Sequence, residues 1–333
     1  MESDTSPQPL AHQLYRFSVP PMTGPGVRSA RRWWPRIFLA GHVSTANSKL
    51  GCGTAAARVN VCCSSRLTVL LGQRKNYWRA PALVSYSRYS VLGVPVDTAT
   101  SSDVLDFVRD RVAARDPARI VTVNAEFVML SRRNRRFREA VASADLATAD
   151  GAGVVWAVRR QGATLPGRAG GSDLIWSLSE QATRLGHRIF LLGGADGIAR
   201  KTGERLAERY PGLEVAGACG GSPRPSEREA IVNLVRETKA DILFVAFGAP
   251  DQDIWIAENL PATGVSIAMG VGGSFDYVAG VARRAPRWMQ GHGLDWLWRL
   301  AREPWRWKRM TVLPTFAWLV LRTRPLRQKG SRA

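Results

Sequence analysis

The feature that most constrains this chain is an alternation beginning near Ser90. Short apolar stretches with the texture of buried strands recur there: RIVTVNA (119–125), DLATAD (145–150), HRIFLLGG (187–194), LEVAGACGG (213–221), DILFVAFGAP (241–250) and VSIAMGVGG (265–273). Helical patterns separate most of them, as over 197–210 and 226–239. Ahead of them, VLGVPVDTATSSDVLDFVRDRVAAR reads as a short strand, a turn and a helix with a Ser/Asp start. Strands buried on both faces and joined through helices predict an α/β fold, a Rossmann-like, mostly parallel sheet flanked by helices. In open sheets of this kind, ligands bind outside the carboxyl ends of the strands.

Charge divides the chain. The formal net charge of +20 splits into +10 for residues 1–88, −1 for 89–280 and +11 for 281–333. A near-neutral body with two basic ends suits an anionic partner: phospholipid, nucleic acid or a polyphosphate ligand. Residues 1–88 keep neither a 2-residue nor a 3.6-residue period and read as a basic, poorly ordered extension. Residues 89–280 form the α/β domain. Residues 281–321 form a basic, helical appendage holding six of the twelve tryptophans, and 322–333 a basic tail. Interleaved Trp and Arg/Lys on a short amphipathic segment suit a membrane interface as well as docking on the body. The longest apolar run, TVLPTFAWLVL (311–321), falls short of the roughly 20 residues a spanning helix needs. RRWWPRIFLAGHV has basic flanks but a weak apolar core and no cleavage site typical of a signal peptide. The four cysteines, Cys52, Cys62, Cys63 and Cys219, lack CxxC spacing and a matching His pair, which argues against a disulfide framework or structural zinc and for a reducing compartment.

Polar residues gather at the predicted strand ends. TVNAE offers Thr122 and Asn124, TADGAG offers Asp150, GAPDQD offers Gln252 and Asp253, and GVGGSFDYVAG offers Asp276. Singly, an Asp or Asn ahead of a helix is an N-cap more often than a catalyst. Clustered at one edge of a sheet, they suggest a site. The glycine turn in LLGGADGIARK, with Gly193 and Gly194, would let backbone N–H groups approach a phosphate. It is neither G-x-G-x-x-G nor G-x-x-x-x-G-K-[ST], which argues against a nicotinamide dehydrogenase and a P-loop nucleotidase. The histidines, His12, His42, His187 and His292, supply no triad or metal pair. Acid–base chemistry near neutral pH then falls to a carboxylate, and Asp150, with glycine beside it, is the best placed.

These blocks resemble the WecG/TagA/CpsF glycosyltransferases over about residues 90–310. The resemblance rests on T-x-N-x-E (Thr122, Asn124, Glu126), ADG (149–151), a GG strand end (Gly193, Gly194), G-x-P-x-Q (Gly248, Pro250, Gln252), G-x-x-FD-x-x-AG (Phe275, Asp276) and RAP…W…RL…EP-x-R (Arg284–Pro286, Trp296–Leu300, Glu303–Arg306). It implies inverting, metal-independent transfer of an N-acetylmannosamine-type sugar from a UDP-sugar donor to a polyprenyl-diphosphate-linked acceptor, in cell-surface polysaccharide or teichoic-acid-like synthesis. No cofactor is implied. Asp150 would be the general base, with Thr122 and Asn124 orienting a sugar beside it. Gln252 would bond in the same pocket and Asp276 would hold the nucleotide. Arg299, Arg306 and Arg309 would fold over the site and neutralise the leaving diphosphate. The implied location is cytoplasmic, peripheral on the anionic inner face of the plasma membrane; self-association into a homo-oligomer is left open. Two positions depart from the family pattern: Asp253 replaces the usual Glu, and Ser222 stands where an aromatic is common. The competing readings are a nucleic-acid-binding protein using its basic termini, which leaves the strand-end cluster unexplained, and a non-catalytic sugar-nucleotide- or lipid-binding homologue.

Overall fold

The computed structural model describes residues 86–286, 289, 295–302, 304 and 307–323. Most of the expected 1–88 extension and most of the basic tail lie outside the described residues. In chain order the elements are β1 (Arg88–Val91), β2 (Val94–Asp97), α1 (Ser101–Ala114), β3 (Ala118–Val123), α2 (Ala125–Ser131), α3 (Arg135–Ala142), β4 (Leu146–Ala149), α4 (Ala152–Arg159) and α5 (Gly171–Leu185). There follow β5 (Arg188–Gly193), α6 (Ile198–Arg209), β6 (Glu214–Cys219), α7 (Pro225–Thr238), β7 (Ile242–Ala246), α8 (Asp251–Thr263), β8 (Ile267–Gly270) and α9 (Ser274–Val278). Among the described residues, three C-terminal helices close the series: α10 (Asp295–Arg302), α11 (Trp307–Met310) and α12 (Val312–Arg322).

The strands form one eight-stranded sheet in the order β1-β2-β4-β3-β8-β7-β5-β6. Every pairing is parallel except that of β1 with β2. The α/β expectation therefore holds. The sequence reading of one short strand near Val91 is corrected to a hairpin. Its two-residue turn, Leu92-Gly93, has φ of +51° and +91°, and positive φ at both positions matches the twist of the flanking strands. A leucine in the left-handed region gives no sequence signal of such a turn, which is why the hairpin was missed. Asp97, buried at the end of β2, pairs with Arg88 at 2.8 Å and accepts the Ala147 N–H at 2.8 Å, tying the hairpin to β4.

Alternate strand residues serve opposite faces. Ile120, Leu146, Leu191, Phe244 and Met269 pack with α1, α5, α6 and α9. Val121, Val123 and Ala147 meet α2, α3 and α4 on the other face, while Phe190, Leu192 and Val245 meet α7 and α8. Each such side chain contributes about 1.5–3 kcal/mol when fully buried. This two-sided burial explains why the strands read as continuous apolar runs rather than alternating ones.

The topology also places the site. From β3 the chain moves outward to β4, whereas β5 to β8 lie on the other side of β3. That reversal opens a crevice at the carboxyl ends of the strands. Helix α12 covers part of it, burying Phe316 and Val320 among residues of α2 and α4. Gly153 lies at this contact, where a Cβ would stand 3.4 Å from the Phe316 ring, an ordinary contact distance.

Candidate active site

A cavity of about 420 Å³ lies at the ends of β3 and β4. Its polar wall comprises Asn124, Glu126, Asp150, Arg168, Ser172, Tyr277 and Arg284. Its apolar wall comes from Trp156 on α4 and from the appendage, through Trp296, Met310, Val312, Leu313 and Phe316.

Asp150 follows β4 directly, and its N–H donates to the Val123 carbonyl at 2.7 Å, fixing it beside the end of β3. The N-cap of α4 is not Asp150 but Gly151, whose φ of +100° suits only glycine. The carboxylate instead lies against Gly170, the N-cap of α5. A Cβ at position 170 would sit 2.8 Å from Asp150 Cγ and closer still to Oδ1. Residues 169–170 are held there because Ala169 N–H donates to the Ala149 carbonyl at 2.9 Å and the Thr148 hydroxyl donates to the Ala169 carbonyl at 2.7 Å. The N-terminus of a 15-residue helix thus backs the carboxylate, an arrangement that favours negative charge.

The cap role belongs to Asn124, whose Oδ1 accepts the Phe127 N–H at 2.9 Å. With that oxygen engaged, its amide NH₂ is the end that can donate to a ligand. Thr122 is buried one layer deeper. Its Oγ1 faces Gly171, 3.5 Å from where a Cβ would stand, and it is not part of the cavity wall.

The remaining sequence candidates lie elsewhere on the same sheet edge. Gln252 is buried, and its Oε1 accepts the N–H groups of Gly248 at 3.2 Å and Gly272 at 3.0 Å, clamping the loop after β7 to the loop after β8. Asp253 beside it is fully enclosed. Burial pushes its carboxyl up to about 7, against the hydrogen bond from Gln252 and the charge of Arg119, and its Oδ2 has no hydrogen-bond partner. Gly193 and Gly194 have φ of +99° and +81°. A Cβ on Gly193 would stand 2.9 Å from the Ala246 carbonyl carbon, and the Gly194 N–H donates to the Ala246 carbonyl at 3.1 Å. That donor, expected to face phosphate, is committed to holding the end of β5 to β7. Asp276 lies on α9 and is not part of the cavity wall; its carbonyl accepts the N–H groups of Val281 and Ala282, and its neighbour Tyr277 lines the cavity. Ser222 gives its hydroxyl and N–H to Glu227, closing the start of α7. Arg306 lies outside the described residues, and Arg299 and Arg309 are described only as backbone positions of α10 and α11.

Arg168 and Arg284 were missed as site residues. Arg284 belongs to the RAP block, and Arg168 stands in the run RAGGSD, whose Gly170 makes the close approach to Asp150. Arg284 Nη2 donates to Asp173 Oδ1 at 2.8 Å and to Ser172 Oγ at 3.0 Å. Neither His187 nor Cys219 serves this cavity. His187 stands at the opposite end of the sheet, and burial pushes the Cys219 thiol up to about 11. Among the described residues, no group of three His, Cys, Asp or Glu side chains could hold a metal ion, and no helix is long and apolar enough to cross a membrane.

A carboxylate backed by a helix terminus, an amide donor beside it and two guanidinium groups in one cavity can accept a proton and steady an anion together. The family model described as Glycosyl transferase WecG/TagA/CpsF family matches residues 89–330. The chain is 32% identical over 227 residues to an N-acetylglucosaminyldiphosphoundecaprenol N-acetyl-beta-D-mannosaminyltransferase of Bacillus spizizenii, covering 68% of this chain and 88% of the relative. A protein of the same description from Bacillus subtilis is 29% identical over 234 residues, covering 70% and 91%. With the family model spanning most of the chain, this protein belongs to the WecG/TagA/CpsF family and is a glycosyltransferase.

Proposed function

We propose that the protein transfers an N-acetylmannosamine-type sugar from a UDP-sugar to a sugar carried on a polyprenyl diphosphate, with inversion and without a bound metal. The observation that carries this reading is the placement of Asp150. Its carboxylate opens into the cavity beside Asn124, with Arg168 and Arg284 in the same wall. The relatives' description, which names a diphosphoundecaprenol acceptor and a mannosaminyl group, supplies the substrate class.

In the proposed reaction Asp150 takes the proton of the acceptor hydroxyl as its oxygen attacks the anomeric carbon. The bond from that carbon to the UDP oxygen breaks, and its electron pair leaves with UDP. Attack opposite the leaving group inverts the configuration. Charge growing on the departing diphosphate is met by guanidinium groups, Arg168 in the body and Arg299, Arg306 and Arg309 from the appendage. Asn124 orients the sugar through its amide. Gln252, Thr122, Gly193 and Gly194 act through the shape of the strand-end loops, and Asp276 holds the nucleotide side of the crevice. Peripheral attachment to the cytoplasmic face of the membrane rests on the exposed Trp296, Leu297, Trp307, Trp318 and Leu321 of the appendage.

The test is transfer from a panel of UDP-sugars to a short-chain polyprenyl-diphosphate sugar in the presence of chelator, wild type against Asp150→Asn. Product that survives chelation and collapses in the variant supports the reading. A variant as active as wild type would remove Asp150 as the base, and transfer that requires a restored divalent ion would remove metal independence.

A further inference from the structure

Arg284 reaches the cavity from the segment leading into the appendage, and α5 sets its position. Nη2 is bonded to both Ser172 and Asp173, the second and third residues of that helix. The other oxygen of Asp173 lies 3.7 Å from Nη2 of Arg168. One carboxylate therefore pairs with two guanidinium groups of the same cavity wall. Both bonds of Arg284 to α5 use Nη2, and an arginine has five N–H donors in a planar fork. An incoming anion can meet its Nε and Nη1 without breaking the pair.

The same turn of α5 also touches the base. Gly170 packs on the Asp150 carboxylate, and two residues later Ser172 begins the grip on Arg284. The first turn of α5 is thus a jig that fixes the base and the paired cations relative to one another. A group with anionic oxygens on adjacent centres suits the remaining donors of the Arg284 fork.

We propose that Arg284 binds the diphosphate of a substrate in this cavity, and that Asp173 is a positioning residue, holding Arg284 and Arg168 in register with Asp150. The identity of that substrate rests on the transferase reading above. The chemistry is shared by two sources, the nucleotide donor and the lipid-linked acceptor, and the kinetic comparison separates them.

The first measurement is calorimetric binding of methylenediphosphonate to the full chain, comparing wild type, Arg284→Gln, Arg284→Lys and Asp173→Asn. Loss of a charge-assisted contact should weaken binding about 10- to 100-fold in Arg284→Gln. Lysine should restore part of it, and Asp173→Asn should weaken it several-fold with the melting temperature held. If Arg284→Gln does not fold, the Lys and Asn variants carry the comparison. Equal binding by wild type and variants, or no binding by wild type, overturns the proposal. In the transfer assay, KM should rise more than kcat falls. A rise confined to the UDP-sugar assigns the donor diphosphate, and one confined to the lipid substrate assigns the acceptor. Variants with wild-type kinetics overturn the Arg284 assignment while leaving the transferase reading intact. Binding lost in Arg284→Gln without transfer by wild type would overturn that reading and leave the diphosphate site standing.

Discussion

Replacing Gly170 with alanine isolates the position of the Asp150 carboxylate from its chemistry. Gly170 has φ of −95° and ψ of 152°, extended backbone open to any residue, so the substitution carries no conformational penalty. Its effect is steric. The new Cβ would begin 2.8 Å from Asp150 Cγ, whereas carbon atoms in contact settle at about 3.5–4.0 Å. The carboxylate must therefore retreat by about 1 Å, a displacement that costs on the order of 100-fold when it misplaces a reacting group. Expressed as a barrier, this is about 2.7 kcal/mol. Stability should change little, because alanine at a permissive φ gains about 0.4–1 kcal/mol through the unfolded chain and a short side chain can swing aside. The assay is initial-rate transfer at saturating donor and acceptor, with a thermal melt of each protein. Gly170→Ala should lose kcat with its melting temperature and the donor KM nearly unchanged. Wild-type kcat in a folded variant would refute the argument that Gly170 sets the place of a reacting Asp150 carboxylate.

Three further outcomes are expected. Burial keeps the Asp253 carboxyl protonated up to about pH 7 in the fold, against an ordinary value of 3.8. Its contribution to stability is therefore complete below about pH 4 and is lost as pH rises through 7, a change on the order of 4 kcal/mol. Asp253→Asn stays neutral, so its stability relative to wild type should be greater at pH 8 than at pH 5; the same difference at both would contradict this. Gln252→Ala leaves the Gly248 and Gly272 N–H groups without their acceptor, at about 1–3 kcal/mol each. Denaturant unfolding should register that loss, whereas a glutamine serving only substrate would change KM alone. Phe316, only 2% exposed, should cost about 3–5 kcal/mol as Phe316→Ala. That loss should loosen α12, speed proteolysis within 312–322 and cut transfer; unchanged protection and activity would mean that this helix is not a wall of the site.

Much of this protein is legible residue by residue. The apolar runs from Arg119 onward specify buried strands, because a strand covered on both faces has no polar side to alternate with. Once the strands are parallel, their polar ends must share one edge, so Asp150, Asn124, Gln252 and Asp276 were found together as a region. What each does within it was not legible. Asn124 and Asp150 both precede helices, yet only Asn124 caps one; after Asp150 the N-cap place is taken by Gly151, with φ of +100°. Thr122 lies on β3 and Asn124 just beyond its end, but the start of α5 covers Thr122 and leaves Asn124 on the cavity wall.

The sequence by itself determined the class of fold and the sheet edge at which Asn124, Asp150, Gln252 and Asp276 gather, since these follow from local period, composition and the parallel strand rule. Tertiary structure alone decided the company that the Asp150 carboxylate keeps. Arg284 and Asp173 stand 111 positions apart, and no local pattern records that pairing. Gln252 became a clamp because two loops from neighbouring strands converge on its oxygen. The closing wall formed because α12 buries Phe316 and Val320 among residues of α2 and α4. Such contacts depend on register and on which helix crosses which strand, quantities fixed only when the whole sheet is assembled.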